Sequence, residues 1–345
     1  MADLDMAPCD ALCSRHRAGV AFTTTAMPGG ASTRRYFRVA FADGTSAVAM
    51  FFPEGGKPEE IQKAHGGSRW PFLEVRDLLA ERGIRVPKVF GEDTAHGWLL
   101  IEDLSDDTLA NYLLRAPGEK TALYTRAVQD LAAAQAALAS LPEGSVVATR
   151  SFDYDLLYWE IEHFREWGVE ARGRAMAPAD REVFDAVASR LAKRIADLPR
   201  GFVHRDYQSR NLMVQDGALV WIDFQDALLG PRVYDLVALL NDSYQEFDRD
   251  FTLARLGDYA ARAGLSAAER DRLSLEFDLV TVQRKLKDAG RFVFIDKKKG
   301  NPSFLKFVTP TIKKVQGAVS RLADADADMA LLGGVLARTL GGEYA

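Results

Sequence analysis

His204-Arg205-Asp206, Asn211 and Asp223 are the residues whose types and spacing suit catalysis. The apolar pair Phe202-Val203 leads into His204-Arg205-Asp206, and Asn211 precedes the short apolar run Leu212-Met213-Val214. Asp216-Gly217 is a strong hairpin signal, and the return run Leu219-Val220-Trp221-Ile222 ends in Asp223. A tight hairpin would bring Asn211 and Asp223 together, with Asp206 on the loop before it. Phosphoryl transfer needs that layout. One carboxylate, Asp206, orients an attacking hydroxyl and accepts its proton. The amide oxygen of Asn211 and the carboxylate of Asp223 hold a magnesium ion against nucleotide phosphates. The expected cofactors are therefore ATP and Mg2+.

The spacing His-x-Asp-x4-Asn, followed by a hairpin and Ile222-Asp223-Phe224, resembles the catalytic and metal loops of the protein-kinase-like fold. With Gly230-Pro231-x-x-Tyr234-Asp235-Leu236 added, it resembles the aminoglycoside phosphotransferase and choline kinase branch. The resemblance implies an α+β fold of two lobes, a small β-rich N-lobe and a larger, mostly helical C-lobe. It also implies a hinge at Glu102-Asp103-Leu104, where backbone groups would pair with adenine. We place the lobe boundary there, with an N-lobe at 1–104 and a C-lobe at 105–345.

These residues need a frame to position them. Residues 1–19 read as a short amphipathic helix. Gly29-Gly30-Ala31-Ser32 lies between two apolar stretches, and such a small-residue loop lays backbone N–H groups against phosphates. Strands are expected at 36–41 and 47–52, joined by the turn Asp43-Gly44. Protein kinases carry a lysine on the third strand, in a pattern like Val-Ala-x-Lys. This chain has Val48-Ala49-Met50-Phe51 and no lysine there. Arg34, Arg35 and Arg38 are the nearest cations, and the guanidinium fork suits phosphate. Residues 72–82 read as a helix ended by Gly83, with Glu74 where the family has its helix glutamate. Two further strands are expected at 86–90 and 97–101, and helical periodicity dominates beyond Ser105-Asp106-Asp107.

Composition narrows the class. The 345 residues are 48% hydrophobic and 27% charged, enough for two cores. A net charge of −5 argues against a general nucleic-acid binder. Cys9 and Cys13 lack the company of a disulfide framework or a zinc site. The N-terminus is acidic, and no run approaches the ~18 apolar residues of a membrane span. We expect a cytoplasmic monomer whose partner is a small-molecule acceptor, with no nucleic acid and no membrane.

Several shorter patterns bear on that acceptor. Gly30-Ala31-Ser32-x-Arg34-Arg35-Tyr36-Phe37, Leu100-Ile101-Glu102-Asp103-Leu104, Glu160-Ile161-Glu162-x-Phe164-x-Glu166-Trp167, and Tyr234-Asp235-Leu236 with Asp242 and Tyr244 are four of them. Together they resemble the bacterial anomeric kinases of cell-wall recycling, which act on N-acetylmuramate or N-acetylglucosamine. A third strand ending in Met50-x-x-Pro53 is similar to that group. Glu162 and Trp167 on the aromatic-acidic helix, Arg205, Asp226 and Arg291 are the expected acceptor contacts. The basic run from Arg284 through Lys299 reads first as a solvated helix face. Its other reading is a cationic mouth that favours an anion such as the lactyl carboxylate of muramate. Tyr154, Tyr158, Trp159 and Trp167 also keep a cage for choline open, and homoserine-like or aminoglycoside acceptors stay open too. The missing lysine sustains a reading from another class, a nucleotide-binding pseudokinase.

Overall fold

The computed structural model of the protein describes residues 4–28, 34–53 and 69–344. Five strands form the sheet of the smaller lobe: β1 (Phe22–Ala26), β2 (Arg35–Phe41), β3 (Ser46–Phe51), β4 (Val89–Asp93) and β5 (Trp98–Glu102). They are antiparallel in the order β1-β2-β3-β5-β4. Alternation sorts their side chains onto two faces. Phe37, Val39, Phe41, Ala47, Ala49, Trp98 and Leu100 pack against Cys9, Leu12 and Cys13 of α1 (Ala7–His16). Val48, Met50, Leu99 and Ile101 join the main core with Phe72, Val75, Leu78 and Leu79 of α2 (Pro71–Glu81). Proline at the first turn suits α2 because its missing N–H has no helical partner there, and Gly83 at φ +76 turns the chain out of it.

The larger lobe is helical: α3 (Leu109–Arg115), α4 (Lys120–Ala137), α5 (Tyr154–His163), α6 (Pro178–Ala196), α7 (Tyr234–Leu240), α8 (Arg249–Arg262), α9 (Ala267–Lys299), α10 (Val308–Leu322) and α11 (Ala327–Leu340). Two short ladders interrupt it. β6 (Arg200–Val203) pairs with β9 (Leu228–Pro231), and β7 (Leu212–Gln215) pairs with β8 (Ala218–Trp221). Asp216 and Gly217 both take left-handed backbone, φ +50 and +74, as a two-residue turn between right-twisted strands requires. No helix among the described residues is long and apolar enough to cross a membrane.

The 33-residue α9 is the axis of this lobe. A capping box between Ser266 and Glu269 starts it, and Gly300 at φ +64 ends it. It packs on α5, α7 and α10, and its middle is buried. The basic run is therefore not a solvated face. Arg284 and Lys285 are fully buried, Lys285 donates to Asp288 at 2.8 Å, and only Lys297, Lys298 and Lys299 at the end are exposed. Charge patterning in a sequence cannot show that a helix threads the core, where acidic partners compensate its cations.

α5 leads into a π-helical turn, Phe164–Val169, and α9 crosses this junction at Gly290. A Cβ at Gly290 would lie 2.8 Å from the Phe164 Cα and 2.9 Å from the His163 carbonyl, both fixed backbone. Gly290→Ala should therefore destabilise the protein by about 1–3 kcal/mol. Gly257→Ala, on α8 with nothing within 4 Å, should instead stabilise by up to about 1 kcal/mol through helix propensity. Urea unfolding of the two variants checks the opposite signs.

Candidate active site

The loop after β6 is held from below by one buried carboxylate. Asp235, the second residue of α7, accepts the backbone N–H of His204 at 2.6 Å and that of Arg205 at 3.0 Å. Arg205 takes left-handed backbone, φ +79, a conformation that costs a non-glycine residue of order 1–3 kcal/mol and needs such an anchor. A second carboxylate, Asp242, accepts the N–H and hydroxyl of Ser209. Between these anchors the Asp206 carbonyl accepts the Gln208 N–H and the Asn211 side-chain amide, each at 2.8 Å. His204 is fully buried with its ring edge-on to Tyr207 and Trp221, and burial pushes its pKa down to about 4. It is a neutral packing element of the loop.

The Asp206 carboxylate is 35% exposed and lies 3.7 Å from a terminal nitrogen of Arg284. Arg284 enters from α9, donates to the Arg205 carbonyl at 2.8 Å and sits over the ring of Tyr234. The orientation of Asp206 is thus set by a fully buried cation and by a loop with fixed ends. Arg205 points inward, 3.6 Å from the buried Glu160 and over the ring of Phe152, so it braces the loop from within.

The β7–β8 hairpin delivers the other two residues. Leu212 pairs with Trp221, and the Ile222 N–H donates to the Asn211 carbonyl at 3.0 Å, so Asn211 and Asp223 flank the same end of the ladder. Both outer edges of the hairpin are tied down by backbone hydrogen bonds. Val214 donates to the Asp107 carbonyl, and Trp221 donates to the Arg85 carbonyl. Asp223 is also left-handed, φ +64. Its Oδ1 accepts from Arg34 at 3.2 Å and from Gln225 at 3.1 Å. Burial raises the Asp223 pKa, Asp206 adds to the rise, and Arg34 opposes it.

These residues fit a magnesium ion. Asn211 spends its NH2 on the Asp206 carbonyl, which leaves its amide oxygen as the donor atom. Asp223 adds a second hard oxygen. No group of three His, Cys, Asp or Glu among the described residues is arranged to hold a metal. Two protein oxygens completed by phosphate and water are the usual Mg2+ pattern rather than a closed protein cage.

The remaining expected residues fall as follows. Gly29, Gly30 and Ser32 lie outside the described residues. Arg34 reaches Asp223, while Arg35 lies over the ring of Phe37 and Arg38 pairs with Asp103 and Asp106. The Glu102 side chain is bound to Arg85 at 2.6 Å and to the Lys88 N–H. Leu104 joins Met213, Val220 and Ile222 in a small apolar cluster against the hairpin. Asp226 is half-buried beside Asp223, its pKa raised by burial and lowered by Arg205, and Gln225 bridges the two carboxylates. Glu162 pairs with Arg165, Trp167 meets Phe294 edge-on, and Arg291 lies over that same Phe294. Tyr154 and Tyr158 stack on each other, with the Tyr154 hydroxyl bound to Ser189 of α6, while Trp159 and Trp167 flank His163. The four aromatics thus form two separate groups, not one cage. The anchoring roles of Asp235, Asp242 and Glu160 were missed. Asp235 stood within a quoted pattern, but nothing local says which N–H groups a distant carboxylate will accept.

Two lobes, with a loop carboxylate and a hairpin bearing an amide and a second carboxylate, define a kinase-like phosphotransferase. Residues 23–274 match the phosphotransferase enzyme family APH, and the chain belongs to this family. An N-acetylmuramate/N-acetylglucosamine kinase of Neisseria meningitidis serogroup B is 32% identical over 331 residues, covering 93% of this chain and 92% of that protein. A protein of the same name from Pseudomonas putida is 33% identical over 286 residues, covering 81% and 79%. Among solved structures, choline kinase of Cryptosporidium parvum superposes with a TM-score of 0.65 at 11% identity, over 96% of this chain and 99% of that one. The gentamicin complex of APH(2″)-IIa gives 0.59 at 14% identity, over 95% and 99%. At such identities these two share the fold alone.

Asp235 gives the loop a pH signature. Burial raises its carboxyl from 3.8 to about 7, so the folded protein binds this proton more tightly than the unfolded chain. Its contribution to stability is complete below about pH 4 and is lost as pH rises through about 7. Asp235→Asn removes the titration. Its stability relative to wild type should become steadily more favourable from about pH 4.5 to about pH 8 in urea unfolding followed by circular dichroism. A pH-independent difference would show that the site does not titrate as stated. His204 has the opposite sign, but it is common to both proteins and cancels in the difference.

Proposed function

We propose that the protein transfers the γ-phosphoryl group of ATP to the anomeric hydroxyl of N-acetylmuramate or N-acetylglucosamine. The observation that carries the reaction is the partly exposed carboxylate of Asp206, held on an anchored loop beside the hairpin end that bears Asn211 and Asp223. The acceptor follows from relatives at 32–33% identity that bear that name.

Adenine would lie against the backbone of residues 102–104 and the apolar patch of Leu104, Met213 and Val220, with the phosphates towards residues 29–35. The hinge then divides an N-lobe at 1–104 from a C-lobe at 105–345. Asn211 and Asp223 would hold Mg2+, which neutralises charge on the phosphates when bound. Asp206 orients the sugar hydroxyl and takes its proton as the bond to phosphorus forms. The transition state is loose, so Asp206 needs position more than basicity. Asp226 borders the same opening and is the nearest further acceptor contact we assign. Arg291 lies two turns beyond Arg284 on α9, about 10 Å along the helix, and with Trp167 and Glu162 would form the outer edge of the acceptor site.

A coupled ADP-release assay tests the assignment against N-acetylmuramate, N-acetylglucosamine, choline, homoserine and kanamycin. Turnover is expected on the two acetylated amino sugars. Asp206→Asn should lower it by roughly 10²–10⁴ while ADP affinity stays near wild type. Turnover on another acceptor would replace the substrate but keep the enzyme. Nucleotide binding without turnover on any of them would favour a pseudokinase.

A further inference from the structure

We propose that Arg34 supplies the phosphate-binding charge absent from the third strand, and does so by exchanging partners. Asp223 holds its guanidinium before the metal and nucleotide bind, and phosphate holds it afterwards. This rests on the nucleotide site proposed above.

The third strand has no cation to offer. Its side chains on the face towards α2 and the main core are Val48 and Met50, and Met50, 1% exposed, stands opposite Tyr36 of β2. A thioether, not a cation, fills that face of the strand. The helix glutamate is also committed elsewhere. Glu74 of α2 accepts the backbone N–H of Val146, in the loop after α4. Neither half of a lysine–glutamate pair is available.

Arg34 takes up the vacated role from the neighbouring strand. It directly precedes β2, its guanidinium lies 5.2 Å from the centre of the Phe52 ring, and the Tyr36 hydroxyl is a further partner. The side chain is only 13% exposed, yet one terminal nitrogen reaches Asp223 Oδ1 at 3.2 Å. Arg35 and Arg38 do not compete for the place, since one lies over Phe37 and the other binds Asp103 and Asp106.

The Arg34–Asp223 contact joins a permanent cation to the carboxylate expected to carry Mg2+. A dication on Asp223 neutralises that carboxylate and repels the guanidinium. A polyphosphate beside it offers two oxygens in the geometry the arginine fork prefers. Guanidinium and metal thus compete for Asp223 in the free protein and share the phosphates in the complex.

Binding measurements separate this from a structural role. MgADP and adenosine are titrated by calorimetry into wild type, Arg34→Gln and Arg34→Lys, with melting curves to confirm folding. Manganese is titrated into the nucleotide-free proteins and followed by electron paramagnetic resonance. Arg34→Gln should weaken MgADP by about 10- to 100-fold, the usual effect of one charged hydrogen-bond donor, and leave adenosine within about twofold. It should bind manganese several-fold more tightly, because Asp223 has lost its internal cation. Arg34→Lys should recover much of the MgADP affinity. Equal loss of adenosine and MgADP, or unchanged MgADP, would overturn the phosphate role. Manganese binding no tighter than wild type would overturn the exchange. Wild type binding neither adenosine nor MgADP would instead reject the nucleotide site itself.

Discussion

The site depends on a carboxylate with no surface in contact with solvent. Asp235 is fully buried, and its two oxygens accept consecutive N–H groups at His204 and Arg205. Two parallel N–H groups presented to one carboxylate define the direction of the loop at its tightest point. The left-handed backbone of Arg205 follows, and so does the outward projection of Asp206. Burial makes this carboxylate costly to ionise, and the loop amides together with nearby Arg284 offset that cost. Both oxygens of Asp235 are satisfied by loop N–H groups, and a satisfied buried carboxylate holds the loop in place.

From that anchor the constraints spread outward. Arg284 braces the Arg205 carbonyl and stands beside Asp206, which makes the long helix α9 a direct support of the loop. The β7–β8 hairpin is sewn along one edge to Asp107 and along the other to Arg85, and Arg85 also grips Glu102 and Gln215. The ring of Phe72 on α2 stacks on Phe224, next to Asp223, with centroids 5.1 Å apart. Glu74 ties the same helix to the loop at Val146. A ring stack and a charged hydrogen bond thus help to tie α2 to the helical lobe, with which it also shares the main core. Arg34, just before β2, meets Asp223, just after the β7–β8 hairpin, beside that ring stack.

Charges that look alike in the sequence divide into different roles here. Arg34 lies against Asp223, Arg38 holds Asp103 and Asp106, and Arg35 rests on an aromatic face. Arg284 and Lys285 are adjacent and both buried, yet one serves the Asp206 loop and the other pairs with Asp288 and the Ser243 hydroxyl. Burial multiplies the consequence of each pairing, because a charge removed from water must have a partner within a few ångströms.

Much of the plan was legible from local rules. Short apolar runs bounded by turn residues marked the strands, Asp216-Gly217 marked the hairpin, and the apolar stripes with their caps marked α2 and the long helices. The spacing from Asp206 to Asn211 and Asp223 was enough to place three polar groups around one turn, because a two-residue hairpin leaves no freedom of register. What remained hidden depends on contacts across 30 or more positions: the hold of Asp235 on His204, the reach of Arg34 across 189 positions to Asp223, and the burial of Arg284. A sequence states which side chains carry charge and how often they recur along the chain. Only the packed tertiary structure decides which of them leave water, and the energy of a charge depends on that surrounding medium and on the partner found there.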